Sequence, residues 1–567
     1  MDLPAHVRGR TRSFPHFPRA AWTSPSASDN PIDCRAMIYS SPYGRLPIPE
    51  GETIWTALER QAAANGAKPA FVCGLTGRKI TFSEAHTQAR QVCAGLVAYG
   101  IKPGDTVILH SFNTLEYPLI FFALNRLGAI CSPSSPLFNA DELAAQIENS
   151  DATAVISHKM FADVAIRAAR LRGIDSSRVF TTGTGTSAFP LTSIEELIAK
   201  DYPWPNLPPV DPEAIAALPF SSGTTGRPKG VLLTAKAMLA TVIGASYQEP
   251  DQDYLLGMLP FFHILALMIF QLTVYRGFGL VVLPRFDPEH FLRVIEKYKI
   301  ERLSLAPPLV TFLAKHPLVD KFDLSHVKAM GVGGASLGIE IETAAEKRVG
   351  AKIMQGYGMT EFCAPVTIST DIYQRAGSAG RLMPNTELKV KSLDTDEDLP
   401  PNQPGELLFR TPSKLKGYYK NPEANRDVFT SDGFVRTGDI GYIDDDGFVY
   451  IIDRLKEMIK YKGHQIAPAE LEDILTSHPA VEDSCCVRGL DASGEEIPKA
   501  FVALRENGPP VTAKELMEYV GAKVAGYKRV RELEVIDAIP KSLSGKVLRR
   551  ELQERENAKR QAPKSRL

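Results

Sequence analysis

The stretch Ser221-Ser222-Gly223-Thr224-Thr225-Gly226-Arg227-Pro228-Lys229-Gly230 determines how the rest of this sequence is interpreted. Its glycines and hydroxyl residues leave backbone N–H and side-chain O–H groups free to surround phosphate oxygens, and Lys229 adds a positive charge. The Walker pattern G-x-x-x-x-G-K-[ST] is not satisfied, so the stretch predicts a different kind of phosphate loop. The alternative is a flexible Ser/Gly loop, which ten consecutive residues of this kind after the apolar Ala216–Phe220 disfavour.

Around this loop, the first two-thirds of the chain alternates strand and helix signals. Thr81 and Glu84 form a capping box that predicts the start of a helix. The order continues with a strand at 106–110, a helix at 117–127, a strand at 128–131, a helix at 141–148 and a strand at 152–157. Such a βαβα order predicts an α/β fold in which helices cover parallel sheets.

From about Glu387 the pattern changes to hairpins, with a strand at 405–410 and a turn at 444–447 before a strand at 449–452. After Asp453, helices at 468–477 and 512–525 flank strands at 484–487 and 500–504, which predicts a separate α+β unit. We therefore expect an N-terminal extension over 1–45, a large domain over 46–455, a small domain over 456–553 and a flexible tail over 554–567.

Composition restricts the classes of partner. The 567 residues carry 65 Lys+Arg against 66 Asp+Glu, and this balance argues against nucleic acid as the main partner. The 7 cysteines show no CxxC or Cys/His ligand spacing, so neither a disulfide framework nor a zinc site is expected. Leu255–Tyr275 is uncharged but contains Pro260 and His263, which predicts a buried strand, a turn and a buried helix rather than a transmembrane segment.

Six motifs occur in an order that resembles the adenylate-forming superfamily of acyl-CoA synthetases, 4-coumarate:CoA ligases, firefly luciferase and peptide-synthetase adenylation domains. Ser221–Gly230 resembles its phosphate loop, and the resemblance extends over roughly residues 50–550. The sequence Lys460-Tyr461-Lys462-Gly463 is most similar to the corresponding motif of the 4-coumarate:CoA ligase and luciferase branch. The remaining motifs are Pro260–His263, Gln355–Glu361, Thr437–Asp439, Asp453–Gln465 and Pro540–Lys546.

The resemblance implies a fold and a two-step reaction. The fold is a large N-terminal domain of helix-covered sheets with a small β-barrel-like part, followed by a smaller, mobile α+β C-terminal domain that rotates about a hinge at Lys456. The reaction converts a carboxylate and ATP into an acyl-adenylate and pyrophosphate, then transfers the acyl group to coenzyme A and releases AMP. ATP, Mg²⁺ and coenzyme A are thus implied. Because the two reactants of the first step are anions, the site must neutralise negative charge.

The resemblance also assigns roles to individual residues. Lys546, a flexible ammonium in a Ser/Gly loop, is implied to contact the carboxylate and α-phosphate. Glu361 is implied to hold Mg²⁺, a hard cation that prefers carboxylate oxygen. The residues implied in catalysis are Lys546, His263, Thr360, Lys460 and Gln465. Those implied in ATP or AMP binding are Ser221, Ser222, Gly223, Thr224, Thr225, Gly226, Lys229, Gln355, Gly356, Tyr357, Thr360, Asp439, Arg454 and Lys546.

Two further groups of residues concern the acyl substrate and coenzyme A. Arg285, Lys462 and Gly463 are implied to contact coenzyme A. Leu265 stands where plant coumarate ligases have a tyrosine, which puts 4-coumarate itself in doubt. An arylpropenoic (coumarate-like) acid and a medium- or long-chain fatty acid both remain open as substrates. The implied acyl pocket consists of His263, Leu265, Ala306, Gly333, Gly334, Ala335 and Gly356.

Other interpretations remain open at this stage. Composition alone describes Glu361 as a surface acid, Asp439 as a turn residue, Lys546 as a solvated charge and His263 as a core histidine. A luciferase-like monooxygenase and an adenylating enzyme that serves a carrier protein would share the first reaction step. A catalytically inactive scaffold is disfavoured because all the motif residues are present.

The ending Ser565-Arg566-Leu567 differs from the Ser-Lys-Leu peroxisomal address by one residue that keeps the positive charge, and it predicts a peroxisomal import receptor as a partner. We expect a fluorescent fusion at the N-terminus to reach peroxisomes, and deletion of Ser565–Leu567 to release it to the cytoplasm without loss of activity. Fluorescence microscopy of the two fusions checks this. A mitochondrial pattern for a C-terminal fusion would instead favour the N-terminal segment with Arg8, Arg10, Arg12 and Arg19.

Overall fold

The structure is a computed structural model that describes residues 32–33, 37–183, 189–221, 228–334, 337–462, 464–491, 495–542 and 545–561. Four groups of predicted functional residues lie outside these ranges. They are Ser222–Gly226 of the phosphate loop, Ala335, Gly463 and the C-terminal tripeptide.

The α-helices are α1 (Ile54–Asn65), α2 (Phe82–Ala98), α3 (Glu116–Leu127), α4 (Ala140–Ser150), α5 (Ala162–Leu171), α6 (Ile194–Ala199), α7 (Ala235–Gln248), α8 (Ile264–Arg276), α9 (Pro288–Tyr298), α10 (Pro307–Lys315), α11 (Ile339–Val349), α12 (Pro422–Val428), α13 (Pro468–Thr476), α14 (Ala513–Gly521) and α15 (Arg549–Gln561).

The first strands are β1 (Ile32–Asp33), β2 (Ile38–Ser40), β3 (Pro69–Cys73), β4 (Lys79–Thr81), β5 (Thr106–His110), β6 (Ile130–Ser134), β7 (Ala152–His158), β8 (Val179–Thr182), β9 (Ile215–Ala217), β10 (Phe220–Ser221), β11 (Lys229–Thr234), β12 (Tyr254–Gly257), β13 (Gly279–Val282), β14 (Arg302–Leu305) and β15 (Ala329–Val332). They are followed by β16 (Lys352–Met359), β17 (Ala364–Ile368), β18 (Arg381–Leu382), β19 (Glu387–Lys391), β20 (Gly405–Arg410), β21 (Gly417–Tyr418), β22 (Val435–Ile443), β23 (Val449–Arg454), β24 (Ile459–Tyr461), β25 (His464–Ile466), β26 (Val481–Leu490), β27 (Glu496–Leu504) and β28 (Glu532–Val535).

The large N-terminal part is built on parallel sheets. One sheet has the order β10-β11-β9-β6-β5-β7-β8, in which β5 runs parallel to both β6 and β7. Two others have the orders β12-β13-β3-β4 and β14-β15-β16-β17-β18, and in both the first two connections are parallel. Helices connect the consecutive parallel strands, such as α3, α4 and α5 after β5, β6 and β7, and cover these sheets, so the α/β class expected from the strand–helix alternation is confirmed.

The hairpin-rich region forms a six-stranded antiparallel sheet with the order β1-β2-β19-β20-β22-β23. This sheet occupies the part of the chain for which the resemblance implies a small β-barrel, and its strand order is linear, with β1 and β23 at the two ends. Strand β2 belongs to it and pairs with β19, although the sequence placed residues 1–45 in an extension. The turn at Asp444–Gly447 joins β22 to β23, with Gly447 at φ +82°, as its Asp-Gly sequence favours.

The C-terminal part is a separate α+β unit. The long hairpin of β26 and β27 pairs with the parallel strand β28, and α13 and α14 cover one face of the sheet with Leu471, Leu475 and Leu516. The last helix, α15, packs on β26 and continues to Gln561, past the predicted boundary at 553/554. The division into domains stays a prediction.

The uncharged segment Leu255–Tyr275 folds as strand β12, a turn and helix α8, as predicted. Helix α8 is apolar on all sides because it is buried, and Phe270 lies 5.2 Å from Phe121 and 5.6 Å from Phe261, between ring centroids. No helix in the described part of the chain has the length and apolar character needed to span a membrane.

Candidate active site

The two ends of the phosphate loop are held together by a hairpin. Ser221 at the end of β10 is paired with Lys229 at the start of β11. The hydroxyl oxygen of Ser221 is buried and has no hydrogen-bond partner among the described residues. The ammonium of Lys229 lies 5.0 Å from the ring centroid of Tyr418. Ser221 and Lys229 thus mark a place where a polar ligand could bind.

Glu361 stands beside this loop in the short 3₁₀ turn that follows β16. It is 5% exposed, and its Oε1 accepts a hydrogen bond from Tyr418 Oη at 3.0 Å. Strand β21 pairs with β11 and thereby places Tyr418 opposite Val231. Tyr418 was missed by the sequence interpretation because no local pattern links it to a residue 57 positions away.

Asp439 is a buried carboxylate with two partners. Its Oδ2 accepts a hydrogen bond from Tyr357 Oη at 2.6 Å, and its Oδ1 lies 3.3 Å from Arg454 Nε. Arg454 faces Asp439 because β22 and β23 pair with these two residues in register. Burial raises the pKa of Asp439, while Arg454 and the Tyr357 hydroxyl oppose this shift. Three predicted nucleotide-binding residues therefore form one cluster.

Lys546 enters this cluster from the C-terminal part of the chain. Its side chain is accessible to water but lies in a cleft where the charges of Arg454, Glu361 and Asp439 act on it. The loss of hydration and the charge of Arg454 lower the pKa of Lys546, and the two carboxylates act in the opposite direction.

A tight turn presents Lys546. The N–H of Ser542 donates to the carbonyl of Lys546 at 2.8 Å, and the N–H of Gly545 donates to the carbonyl of Ser542 at 2.9 Å. Gly545 has φ +81°, and a Cβ atom placed on it would lie 2.7 Å from Cγ of Pro308 at the start of α10. Glycine is therefore required where this turn meets the N-terminal part.

His263 ends the turn before α8, close to several residues of the predicted acyl pocket. Its Nε2 is buried and has no hydrogen-bond partner in the described ranges. Burial, with the positive charge of Lys546 as a smaller contribution, lowers the pKa of His263 to about 4. A Cβ atom built on Gly333 would lie 3.5 Å from Leu265 Cδ2 and 3.9 Å from the carbonyl oxygen of Gly356, so these three residues meet.

Three other predicted residues have clear positions. Ala306 is buried and immediately precedes α10, while Gly334 adopts φ +92° beside Gly333. The carboxamide of Gln355 donates from Nε2 to Glu342 Oε2 at 2.6 Å. Glu342 thus engages one N–H of the Gln355 carboxamide.

Neither the predicted catalytic residues Lys460 and Gln465 nor the predicted coenzyme A residues Lys462 and Arg285 join the Lys546 cluster in this structure. Lys460, Lys462 and Gln465 lie exposed in the β24–β25 hairpin, whose N–H at Lys460 donates to Glu496 Oε2 at 2.8 Å. The hairpin is held against its own domain by His464, which stacks on Tyr527 with ring centroids 4.2 Å apart. Arg285 is exposed in the loop after β13.

The predicted hinge residue Lys456 is exposed in the turn between β23 and β24. A long-range hydrogen bond connects the two sides of this turn: the N–H of Ala469 in α13 donates to Asp453 Oδ2 at 2.9 Å. Burial raises the pKa of Asp453 to about 6. Asp453, in strand β23 before the turn, thus caps helix α13, which comes after the turn.

The described residues contain no group of three or more His, Cys, Asp or Glu side chains that could hold a metal ion by themselves. Glu361 offers one buried carboxylate near the phosphate loop. Mg²⁺ commonly uses one or two carboxylates together with substrate phosphate oxygens and water. Glu361 therefore fits a metal ion that binds together with a phosphorylated ligand.

Comparisons with known proteins agree with this arrangement. The chain matches a family described as AMP-binding enzyme over residues 58–419, and the AMP-binding enzyme C-terminal domain over residues 470–546. A 4-coumarate–CoA ligase of Vanilla planifolia is 35% identical over 534 residues, which cover 92% of this chain and 96% of the relative. 4-Coumarate–CoA ligase 2 of Petroselinum crispum is 36% identical over a match that covers 92% of this chain and 98% of the relative.

Solved structures give the same result. The o-succinylbenzoate CoA synthetase of Bacillus subtilis, in complex with its acyl-adenylate intermediate, is 25% identical in sequence and superposes with a TM-score of 0.76. The match covers 88% of this chain and 98% of the synthetase chain. A fatty acyl CoA synthetase of Mycobacterium tuberculosis is 28% identical in sequence, with a TM-score of 0.69. This match covers 89% of this chain and 99% of the synthetase chain.

The lowered pKa of His263 predicts a neutral ring at physiological pH. Because the pKa of about 4 lies below the ordinary value near 6.5, the fold favours the neutral form. The stability that depends on this form is present above about pH 6.5 and is lost as the pH falls toward 4. We expect the ¹³C-histidine NMR signal absent from a His263→Gln variant to stay unshifted from pH 8 to pH 5. A midpoint near 6.5 would contradict this prediction, and the unfolded protein provides the control.

Proposed function

Because the chain belongs to the AMP-binding enzyme family of AMP-forming acid–thiol ligases, we propose that it activates an apolar carboxylic acid and transfers it to coenzyme A. The observation that carries the proposal is the position of Lys546, which lies in one cleft with Glu361, Asp439 and Arg454 although it comes from the other domain. This cleft combines positive groups for an anionic transition state with a buried acceptor for a nucleotide.

In the first step, a carboxylate oxygen of the acid attacks the α-phosphorus of ATP, and the bond to the β-phosphate breaks to release pyrophosphate. Lys546 binds the oxygens of the carboxylate and the α-phosphate, where negative charge accumulates. Asp439 accepts hydrogen bonds from the ribose hydroxyls, and Arg454 holds the side chain of Asp439 in place. Ser221, Lys229 and Thr360 bind phosphate oxygens, together with Ser222, Gly223, Thr224, Thr225 and Gly226 of the loop. The backbone at Gln355, Gly356 and Tyr357 borders the adenine.

Mg²⁺ is proposed to bind at Glu361 together with ATP. The metal ion supplies positive charge to the departing pyrophosphate. Tyr418 fixes the carboxylate for this task, because its hydroxyl donates to Oε1 of Glu361 at 3.0 Å and leaves Oε2 free of that bond.

In the second step, the thiol sulfur of coenzyme A attacks the acyl carbonyl carbon, AMP leaves with the electrons of the broken C–O bond, and the thiol proton is lost to solvent. For this step we propose that the C-terminal domain rotates about Lys456 and brings in the hairpin with Lys460, Lys462, Gly463 and Gln465. Arg285, which is exposed, is proposed to contact the nucleotide phosphates of coenzyme A.

The acid is proposed to be an arylpropenoic acid without a ring hydroxyl that needs a hydrogen bond, or a medium- to long-chain fatty acid. Leu265 supports an apolar acid because its hydrocarbon side chain, which lies next to Gly333, offers no donor or acceptor. The small residues at 333 and 356 leave room for a ring or a chain. Peroxisomal targeting remains a prediction from the sequence.

Replacing Lys546 should separate the two steps. We expect Lys546→Ala to lower carboxylate-dependent ATP–pyrophosphate exchange by about a hundredfold or more, because a charge that stabilises the transition state is removed. The variant should still convert a supplied acyl-adenylate to the thioester. Gly463→Val should show the reverse pattern, with exchange retained and thioester formation slowed.

The matched control for this pair is Lys541→Ala. Lys541 belongs to the same loop, but its ammonium pairs with Asp483 Oδ2 at 2.5 Å. Normal exchange in Lys546→Ala, or equal loss in Lys541→Ala, would remove Lys546 from the adenylation step. An acyl-adenylate that forms in the wild type but never passes to coenzyme A would favour a carrier protein as the acceptor.

Replacing Leu265 should change the choice of acid. We expect the wild type to prefer cinnamate to 4-coumarate, and Leu265→Tyr to shift the ratio of kcat/KM toward 4-coumarate by about tenfold, the effect of one added hydrogen bond. Pyrophosphate release with a panel of aryl and alkyl acids measures this ratio. Leu265→Met is the control that keeps the side chain apolar. An unchanged ratio in Leu265→Tyr would place the acyl pocket elsewhere.

A further inference from the structure

We propose that Asn113 is a positioning residue for the choice of acid, because its side-chain amide holds the turn that carries His263. The inference rests on the proposed role of His263 in the acyl pocket. Asn113 belongs to none of the motifs in the sequence and lies three residues after the end of β5.

The side chain of Asn113 joins two sheets at the carboxyl ends of their strands. It is 5% exposed. Its Oδ1 accepts a hydrogen bond from the N–H of Phe261 at 2.8 Å. Its Nδ2 lies within hydrogen-bond distance of a group of carbonyl oxygens at the carboxyl ends of β12 and β13 and just beyond them: Leu259 at 2.9 Å, Met258 and Leu283 at 3.3 Å, and Gly257 at 3.4 Å.

This pattern requires an amide. The segment between β12 and α8 pairs with no strand in the part of the chain that the structure describes, so its buried carbonyl and N–H groups need other partners. Asn113 supplies two N–H donors and one acceptor from a single side chain. An aspartate lacks the donors, and an aliphatic side chain of the same size lacks both the donors and the acceptor, which leaves buried backbone groups unpaired.

The orientation of His263 depends on this turn. Phe261 is 1% exposed, and its ring centroid lies 5.5 Å from that of Tyr117 on the side of the core. The His263 ring, by contrast, has no hydrogen bond from Nε2 to any described residue. Its backbone N–H donates to the carbonyl of Pro260 at 3.0 Å. A backbone hydrogen bond thus holds His263, and the side chain of Asn113 makes hydrogen bonds to the backbone of the residues that precede it, Leu259 and Phe261.

Asn125 provides a matched control. It is also buried, at 3% exposed, and its Nδ2 donates to the carbonyl of Phe121 at 2.9 Å within α3. Loss of either amide removes a buried hydrogen bond and lowers stability, but only Asn113 contacts the segment that leads to His263. A purely structural role of Asn113 would therefore make the two variants alike.

The experiment compares Asn113→Ala, Asn113→Ser and Asn125→Ala by kcat/KM for cinnamate and hexanoate, with KM for ATP as a second readout. We expect Asn113→Ala to change the ratio of the two acids by about tenfold with little change in KM for ATP. Asn113→Ser, which keeps a hydroxyl donor, should recover part of the ratio. Asn125→Ala should lower the thermal midpoint and leave the ratio unchanged. If Asn113→Ala does not fold, the ratio measured for Asn113→Ser decides.

A double-mutant cycle with His263→Ala tests the route of the effect. We expect Asn113→Ala to leave the ratio unchanged when it is added to His263→Ala. An equal change with and without His263, or the wild-type ratio in the Asn113 variants, would overturn the positioning role. If His263→Ala itself leaves the ratio unchanged, the proposed role of His263 in the pocket fails, and the positioning role fails with it.

Discussion

The buried carboxylate of Asp439 is the constraint on which the arrangement of the site depends. A charge removed from water must be paired, and Asp439 is paired from two directions by Tyr357 and Arg454. Asp439 and Arg454 come from the paired strands β22 and β23 of the antiparallel sheet, and Tyr357 comes from β16. The hydrogen bond from Tyr357 to Asp439 therefore joins the antiparallel sheet to the sheet that contains β16. Arg454 is also the last residue of β23 before the turn that leads into the C-terminal domain.

The same cluster determines the electrostatic environment of Lys546. Arg454 repels the ammonium, whereas Glu361 and Asp439 attract it, and burial alone would favour its neutral form. An anionic ligand in the cleft would add negative charge around Lys546 and favour its protonated form. Because Lys546 is carried by another domain, the electrostatic balance of the cleft is complete only while the two domains are together.

Much of the fold followed from local sequence. The capping box at Thr81 and Glu84 is present in the structure, and strand β5 occupies the five residues expected for it. The helix expected at 468–477 ends one residue earlier, at Thr476, and the one expected at 512–525 ends at Gly521, because helix ends depend on tertiary contacts. The motif residues Glu361, Asp439, Arg454 and Lys546 were all named from the sequence. Their partners Tyr418 and Asn113 were not, since these contacts join residues far apart in the chain and no periodic pattern marks them.

The contact between Gly545 and Pro308 has a consequence for engineering. A methyl group at position 545 would occupy space already filled by the ring of Pro308, so the two domains could approach only if one of them moved aside. Residue 545 also has φ +81° and is bonded to Lys546, so a larger side chain there would strain the turn that presents the ammonium. Position 545 is therefore a poor place for an added side chain or an attached label, although it lies in a loop near the surface of the C-terminal part.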